Sequence, residues 1–202
     1  MNKIICISRQ YASGGHEIGR QLSQYYGIPI YDKEIIAESM KSSGLSRELI
    51  ENNDENAANS LIYAMAIGQF SNFITPTVAP PGDKVYQAQS KVIRELAENG
   101  SCIFIGRCAG EILRDNPNSV RIFIYANDEF RIDRAIRYYG CKGSETINVL
   151  RKRDKQRATH YNHYSGHHWG NIDSFDLSID SSRCEINGAV EVIKTYLNTI
   201  KN

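Results

Sequence analysis

The chain has 202 residues, a formal net charge of +1 and 41% hydrophobic residues. This length suits one domain with a full hydrophobic core, and the near-neutral charge gives no indication of a nucleic-acid partner or of attraction to an acidic membrane. No apolar run is long enough to span a bilayer. The N-terminus shows no signal-peptide pattern, so we expect a cytoplasmic location.

Short apolar runs alternate along the chain with longer helical segments. The predicted strands are Ile4–Ile7, Cys102–Ile105, Val120–Tyr125 and Phe175–Ile179. The predicted helices are His16–Tyr26, Lys33–Ser42, Ala57–Phe70, Lys84–Asn99, Asp128–Tyr139 and Glu185–Ile200, and the proline-rich residues Ser71–Asp83 favour a long loop. The alternation predicts an α/β domain with a parallel sheet and helices on both faces.

The five cysteines are predicted to be free thiols. None has C-x-x-C spacing, and Cys6 and Cys102 lie in the apolar runs that favour buried strands. Disulfides are therefore not expected.

The first predicted strand leads into a loop of small residues and then into a helix. This order is typical of a P-loop, in which backbone N–H groups at a helix N-terminus surround a phosphate. The usual pattern G-x-x-x-x-G-K-[ST] is altered, because Arg9 stands at the first glycine, Gly14 at the second, Gly15 at the lysine and His16 at the Ser/Thr. The predicted phosphate-binding loop comprises Ser8, Arg9, Gln10, Tyr11, Ala12, Ser13, Gly14, Gly15 and His16.

The missing lysine leaves the source of positive charge at this loop open. Arg9 or His16 could supply it, since both flank the loop. The alternative for Arg9 is an ion pair with a carboxylate such as Glu17, and the alternative for His16 is a solvent-facing position at the helix start. Ser13 or Ser8 could bind Mg²⁺ in place of the absent Ser/Thr, and spacing alone does not decide.

Polar residues follow several predicted strands, at the sheet edge where open α/β folds bind ligands. We interpret Arg107, which follows a strand and a glycine, as a phosphate contact. Asp32 serves either as a helix N-cap or as a ligand contact. Asp180 and Ser181 either contact a base or ribose, or open the turn into the last helix.

Taken together, these residues resemble the cytidylate-kinase-like group of nucleoside monophosphate kinases over nearly the whole chain. The matching segments are residues 7–11, 13–15, 29–34, 106–109, 151–158, 169–170, 176–177 and 180–182. The resemblance implies a three-layer P-loop kinase fold in a single domain 1–202, with ATP and Mg²⁺ as cofactors. It also implies an acceptor-binding helical insert at about 32–82 and a small helical lid at about 141–170.

The resemblance further implies roles for charged residues. The acceptor side would include Asp32, Lys33, Arg107, Asp180 and Ser181, and the lid would include Arg151, Arg153, Asp154 and Arg157. Arg9, Arg153 and Arg157 are the predicted catalytic residues, because phosphoryl transfer spreads negative charge over oxygens that arginine binds in pairs. The alternative for the lid arginines is a solvated helix face.

Two other segments allow more than one interpretation. Histidines recur over residues 160–168, but Ser165-Gly166 should end the helix before His167, so no metal site is predicted and the imidazoles and aromatic rings either line the nucleotide site or pack. The apolar segment Ala57–Phe73 favours core packing, with a homodimer contact as the alternative.

Two functions remain. The first is a phosphotransferase that moves a phosphoryl group from ATP to a nucleoside monophosphate, CMP or dCMP by resemblance, or to a related small acceptor. The second is a nucleotide-binding module with weak or no kinase activity. The lid arginines favour the enzyme, and Gly15 in place of lysine favours the binding module.

Overall fold

The computed structural model describes residues 3–32 and 81–200. These residues contain a five-stranded, fully parallel sheet with the strand order β2-β3-β1-β4-β5. The strands are β1 (Ile4–Arg9), β2 (Ile30–Tyr31), β3 (Cys102–Ile105), β4 (Ser119–Tyr125) and β5 (Leu177–Asp180). The predicted parallel α/β fold is confirmed.

Helices connect the strands. Within the described residues they are α1 (Gly15–Tyr26), α2 (Pro81–Glu98), α3 (Ala109–Ile112), α4 (Asp128–Tyr139), α5 (Thr146–Ser165) and α6 (Ser181–Thr199). Lys33, the two predicted helices between residues 33 and 70, and the predicted loop up to residue 80 lie outside the described residues. The predicted acceptor-binding insert therefore stays a prediction.

The side chains of β1 show why the sheet is covered on both faces. Successive side chains of a strand point to opposite sides. Ile4 and Cys6 pack with α2 and α3, whereas Ile5 and Ile7 pack with α1 and α6. All four side chains are at most 3% exposed, as expected of a strand buried on both faces, so the fold has three layers.

The central position of β1 determines where a ligand can bind. β1 lies between β3 and β4, so the chain leaves the middle of the sheet at Arg9. The connections from the two neighbouring strands turn away on either side, and such a point opens a crevice at the carboxyl ends of the strands. The loop at residues 10–14 and the start of α1 occupy this crevice.

Several elements differ from the predictions, among them β2, α2 and α6. β2 is missing from the predicted strands because its two residues are too few to form a pattern. α2 begins at Pro81 inside the predicted loop, since proline is tolerated in the first turn of a helix. α6 begins at Ser181, and its helical backbone is interrupted at Glu185, where φ is 57° and ψ is −179°.

The cysteine prediction is confirmed. All five cysteines are free, and burial raises the pKa of Cys6 and of Cys102 to about 12. None of the helices in residues 3–32 and 81–200 combines the length and the apolar character needed to cross a membrane.

An ion pair fixes the edge of the sheet where β5 joins β4. The Asp176 carboxylate accepts hydrogen bonds from the Arg121 backbone N–H and from its Nη2, both at 2.7 Å. The Asp176 N–H in turn donates to the Arg121 carbonyl at 2.8 Å. Burial acts to raise the pKa of Asp176, but the hydrogen bonds from Arg121 outweigh it and hold the pKa below the usual 3.8.

Asp176→Asn should lower the free energy of unfolding at pH 7 by about 1.5–3 kcal/mol, the range for a hydrogen bond to a charged group. Because the pKa of Asp176 is lower in the folded state, its contribution is present above the unfolded value and is lost as the pH falls through the folded value. Urea denaturation at pH 7 and pH 3 measures the free energy of unfolding of wild type and variant. If the two proteins differed by the same amount at both pH values, the stabilising role of the ionised Asp176 would be contradicted.

Candidate active site

A cleft of about 280 Å³ opens at the carboxyl end of β1, and we call it the loop cleft. It combines most of the predicted phosphate-binding loop with side chains from the end of β2, from α4 and from α5. The lining residues are Arg9, Gln10, Tyr11, Ala12, Gly14, Gly15, His16, Asp32, Tyr139 and Arg157. The fold therefore places Asp32 and the predicted lid residue Arg157 beside the loop.

Hydrogen bonds from the sheet fix the path of the loop. The Gln10 N–H donates to the Ile124 carbonyl at 2.9 Å, and its side-chain Oε1 accepts from the Ala126 N–H at 3.1 Å. The fully buried Ser13 hydroxyl lies 2.9 Å from the Gln10 carbonyl and 3.1 Å from that of Ile124. These side chains therefore hold the loop from behind rather than facing a ligand.

The end of the loop has the backbone form of an anion site. Ala12 and Gly14 have left-handed backbones with φ of 61° and 85°, and α1 starts directly after Gly14. A side chain at Gly14 would collide with Ile186, since its Cβ would lie 2.1 Å from Cδ1 of that residue. The N-terminus of α1 presents N–H donors and a favourable helix dipole to the cleft.

Arg9 lies across the position that a P-loop lysine would occupy. A Cβ on Gly15 would lie 2.7 Å from Arg9 Cβ and 3.0 Å from its Cγ, so the arginine stem covers Gly15. Further along, Arg9 Nη1 would lie only 2.0 Å from a Cβ on Gly106, whose φ is 78°. Gly15 and Gly106 thus provide the space through which this side chain passes.

A second, smaller pocket lies next to the loop cleft and is lined by three arginines. We call it the arginine pocket. It is lined by Ser8, Arg9, Gly106, Arg107, Cys108, Arg157, His160, Tyr161 and Trp169. Arg107 is only 7% exposed, and it and Cys108 have left-handed backbones with φ of 58° and 54°. The strained turn after β3 therefore places Arg107 in the same pocket as Arg9 and Arg157.

Helix α5, which lies in the predicted lid, docks directly on the loop. Asp154 accepts a hydrogen bond from the Tyr11 N–H at 2.7 Å and pairs with Nη1 of Arg131, which is 3% exposed. One turn later, Arg157 Nη1 donates to the Arg9 carbonyl at 3.1 Å, and its guanidinium lies over the Tyr11 ring at 5.6 Å. Helix α5 is thereby aligned with the loop through the Asp154 carboxylate and the Arg157 guanidinium.

The remaining predicted site residues lie in different places. Arg151 and Arg153 are exposed on α5 and line neither of the two pockets. Of the three predicted lid arginines, Arg157 is the one that lines both pockets. Asp180 caps α6 by accepting from the Ser182 N–H at 3.0 Å. The buried Ser181 hydroxyl donates to the Ser13 carbonyl at 2.7 Å, so it supports the loop from below. These contacts of Asp180 and Ser181 agree with the alternative in which both residues open the turn into the last helix.

Two further predictions concern Glu17 and the histidines. Glu17 pairs with Arg134 Nη2 at 2.6 Å, and an ion pair between Arg9 and a carboxylate stays a prediction. The histidines of residues 160–168 do not converge: His160 Nδ1 lies 3.3 Å from Cys108 Sγ, while His163 and His167 approach different carboxylates. No group of three metal-binding side chains is present among the described residues.

A third cavity, of about 340 Å³, was not expected from the sequence, and we call it the α4–α6 cleft. It lies behind Gly14, between α1, α4 and the start of α6. The lining residues are Glu17, Phe130, Asp133, Arg134, Arg137, Tyr138, Glu185, Ile186 and Asn187. The strained backbone of Glu185 borders it.

Residues 4–183 match the model of the cytidylate kinase-like family. A cytidylate kinase from Methanothrix thermoacetophila is 26% identical over 98% of this chain and 99% of that protein. Matches to cytidylate kinases from Saccharolobus islandicus span 58% of those relatives, so the chain spans little more than half of their length.

Solved structures show the same architecture. An uncharacterized protein from Eubacterium ventriosum has a TM-score of 0.76 and 26% identity, with 98% of this chain and 99% of that chain covered. A shikimate kinase from Bacteroides thetaiotaomicron has a TM-score of 0.56 at 11% identity, with 98% and 99% covered, and supports the fold alone.

Restoring the lysine should not restore an ordinary P-loop. Gly15→Lys places a Cβ within 2.7 Å of Arg9 Cβ, and overpacking of this kind costs about 1–3 kcal/mol. We expect a lower free energy of unfolding, measured by urea denaturation, and part of that loss should be recovered in the double variant Arg9→Gly/Gly15→Lys. A single variant as stable as wild type would show that Arg9 does not occupy this space.

Proposed function

The chain belongs to the cytidylate kinase-like family, and from this premise we propose that it transfers the terminal phosphoryl group of ATP to a nucleoside monophosphate such as CMP or dCMP, or to a related small acceptor. Kinase activity in general is supported by the family match and by the similarity to the cytidylate kinase from Methanothrix thermoacetophila. The choice of donor and acceptor is our proposal.

The observation that carries the proposal is the position of Arg9. Its stem covers Gly15 and its guanidinium lies against Gly106, beside Arg107 and Arg157 in the arginine pocket. A P-loop lysine contributes a cation near the outer phosphates, and Arg9 brings a cation to the same loop from the opposite end. Its fork of donors can bind two phosphate oxygens at once.

The two clefts on either side of Gly14 suit two different parts of the reactants. The α4–α6 cleft combines the rings of Phe130 and Tyr138, both of which contact the Arg134 guanidinium, with the side chain of Glu185. Aromatic and guanidinium planes beside a hydrogen-bond acceptor suit a nucleobase, so we place the base of the donor there. The phosphate chain would then cross the N-terminus of α1 toward the loop cleft.

The acceptor would approach from the side of Asp32 and the arginine pocket. Arg107 is buried at the end of β3 and lines the pocket together with Arg157. Guanidinium groups held in place before the reaction stabilise the charge that develops on the transferring oxygens. We therefore assign Arg9 and Arg157 to the transferring phosphoryl group and Arg107 to an anionic group of the acceptor.

Divalent cations accompany ATP in such reactions and offset part of the negative charge on its phosphates. Neither Ser8 nor Ser13, the two serines predicted to bind Mg²⁺, is placed to hold a divalent cation in the loop cleft. Ser13 is fully buried with its hydroxyl against two carbonyls, and Ser8 lines the arginine pocket instead. Of the cleft residues, His16 and Asp32 have donor atoms that fit a cation.

The alternative function is a nucleotide-binding module with weak or no kinase activity, favoured by the loss of the P-loop lysine at Gly15. A coupled ADP-release assay with ATP, Mg²⁺ and a panel of nucleoside monophosphates and small alcohols separates the two. ADP release that depends on one acceptor supports the enzyme. Binding of ATP, seen by calorimetry, with no acceptor-dependent ADP release supports the module.

On the acceptor found in that assay, Arg157→Ala should lower kcat about 10²–10³-fold, the effect of removing one preorganised charge-stabilising donor. The melting temperature should change far less. Arg153→Ala should cost less activity than Arg157→Ala, because Arg153 is exposed and lines neither the loop cleft nor the arginine pocket.

Arg20, an exposed arginine on α1 outside all three cavities, is the matched control. Arg20→Ala should leave kcat unchanged. Equal losses of kcat in Arg153→Ala and Arg157→Ala would instead indicate that both residues act only as charges on a solvent-exposed helix face.

A further inference from the structure

We infer that His16 and Asp32 together form the protein's half of a divalent metal site in the loop cleft, and that this site favours Mn²⁺ over Mg²⁺. The inference rests on the proposed function, since the other ligands would be the oxygens of a bound polyphosphate. It departs from the usual P-loop, in which a Ser/Thr hydroxyl holds Mg²⁺.

The first support is geometric. His16 is the second residue of α1 and Asp32 directly follows β2, yet their side chains meet in the loop cleft with Nε2 and Oδ2 3.3 Å apart. Two ligand atoms that each lie about 2.1 Å from one ion are about 3.0 Å apart when the ligand–ion–ligand angle is a right angle. At the tetrahedral angle they are about 3.4 Å apart. The observed separation lies between these values, so one ion can bind both atoms with little movement.

The second support is electrostatic. The loop cleft collects the N-terminus of α1, Arg9 and Arg157, a set that attracts a polyanion. Asp32 contributes a carboxylate to the same cleft, with 25% of its side chain exposed. A carboxylate beside bound phosphates repels them unless a cation lies between the two, and a bridging metal ion removes the repulsion.

The ligand types indicate the metal. Nucleotide-bound divalent ions need only one or two protein ligands because phosphates and water complete the coordination. Mg²⁺ prefers oxygen ligands, whereas an imidazole nitrogen suits transition metals, and Mn²⁺ also accepts carboxylate and water. A mixed imidazole and carboxylate pair therefore selects Mn²⁺ over Mg²⁺.

Electron spin-echo spectroscopy of the full chain with Mn²⁺ and inorganic tripolyphosphate tests this directly, because tripolyphosphate contains no nitrogen. We expect ¹⁴N coupling from the imidazole in wild type and its disappearance in His16→Ala. In Asp32→Asn the coupling should remain. By calorimetry, the Kd of the Mn²⁺–tripolyphosphate complex should rise about tenfold or more in both variants, as is typical when a metal site is disturbed.

His163→Ala is the matched control, since His163 also approaches an aspartate, Asp83, at 3.8 Å and is partly exposed. It should keep both the coupling and the affinity. A bound Mn²⁺ complex without ¹⁴N coupling, or equal affinity for Mg²⁺ and Mn²⁺, would overturn the metal assignment, while acceptor-dependent ADP release could still support the proposed function. Failure of wild type to bind either metal complex would count against both.

Discussion

The arrangement of the site depends on one packing constraint, the passage of the Arg9 side chain between two glycines. Its stem excludes any side chain at position 15, and its guanidinium excludes one at position 106. The loss of the P-loop lysine is therefore linked to the presence of an arginine at the first position of the loop. A lysine at Gly15 and an arginine at position 9 compete for the same volume, and this chain has the arginine.

A second constraint follows from where Arg9 ends. The Arg9 carbonyl accepts a hydrogen bond from Arg157 on α5. Two residues later, the Tyr11 N–H donates a hydrogen bond to Asp154. Asp154 also neutralises the buried Arg131. Removing one partner of such a buried pair leaves an uncompensated charge, which is costly. The loop, α4 and α5 therefore hold one another in register, and this arrangement places Arg157 beside Arg9 in the arginine pocket.

The sequence predicted the fold well because β1, β3 and β4 are continuous apolar runs and the helices between them are long. It predicted the loop because strand, small residues and helix follow in order. It missed β2, whose two residues give no pattern, and the α4–α6 cleft, whose lining comes from three helices distant in the chain. Ser181 looked like a ligand contact in sequence, but its hydroxyl is used by the Ser13 carbonyl, a contact between residues 168 positions apart.

The same geometry bears on the choice between an enzyme and a passive binding module. A module needs only the N–H donors of the loop to hold a phosphate chain, and those come from the backbone. Arg9, Arg107 and Arg157 add side-chain guanidinium groups that line one small pocket, and Arg107 is only 7% exposed. Guanidinium groups held in place are most useful where negative charge increases during a reaction, as it does on the oxygens of a transferring phosphoryl group. The three arginines in this pocket therefore favour the proposed phosphotransferase over a module that only binds.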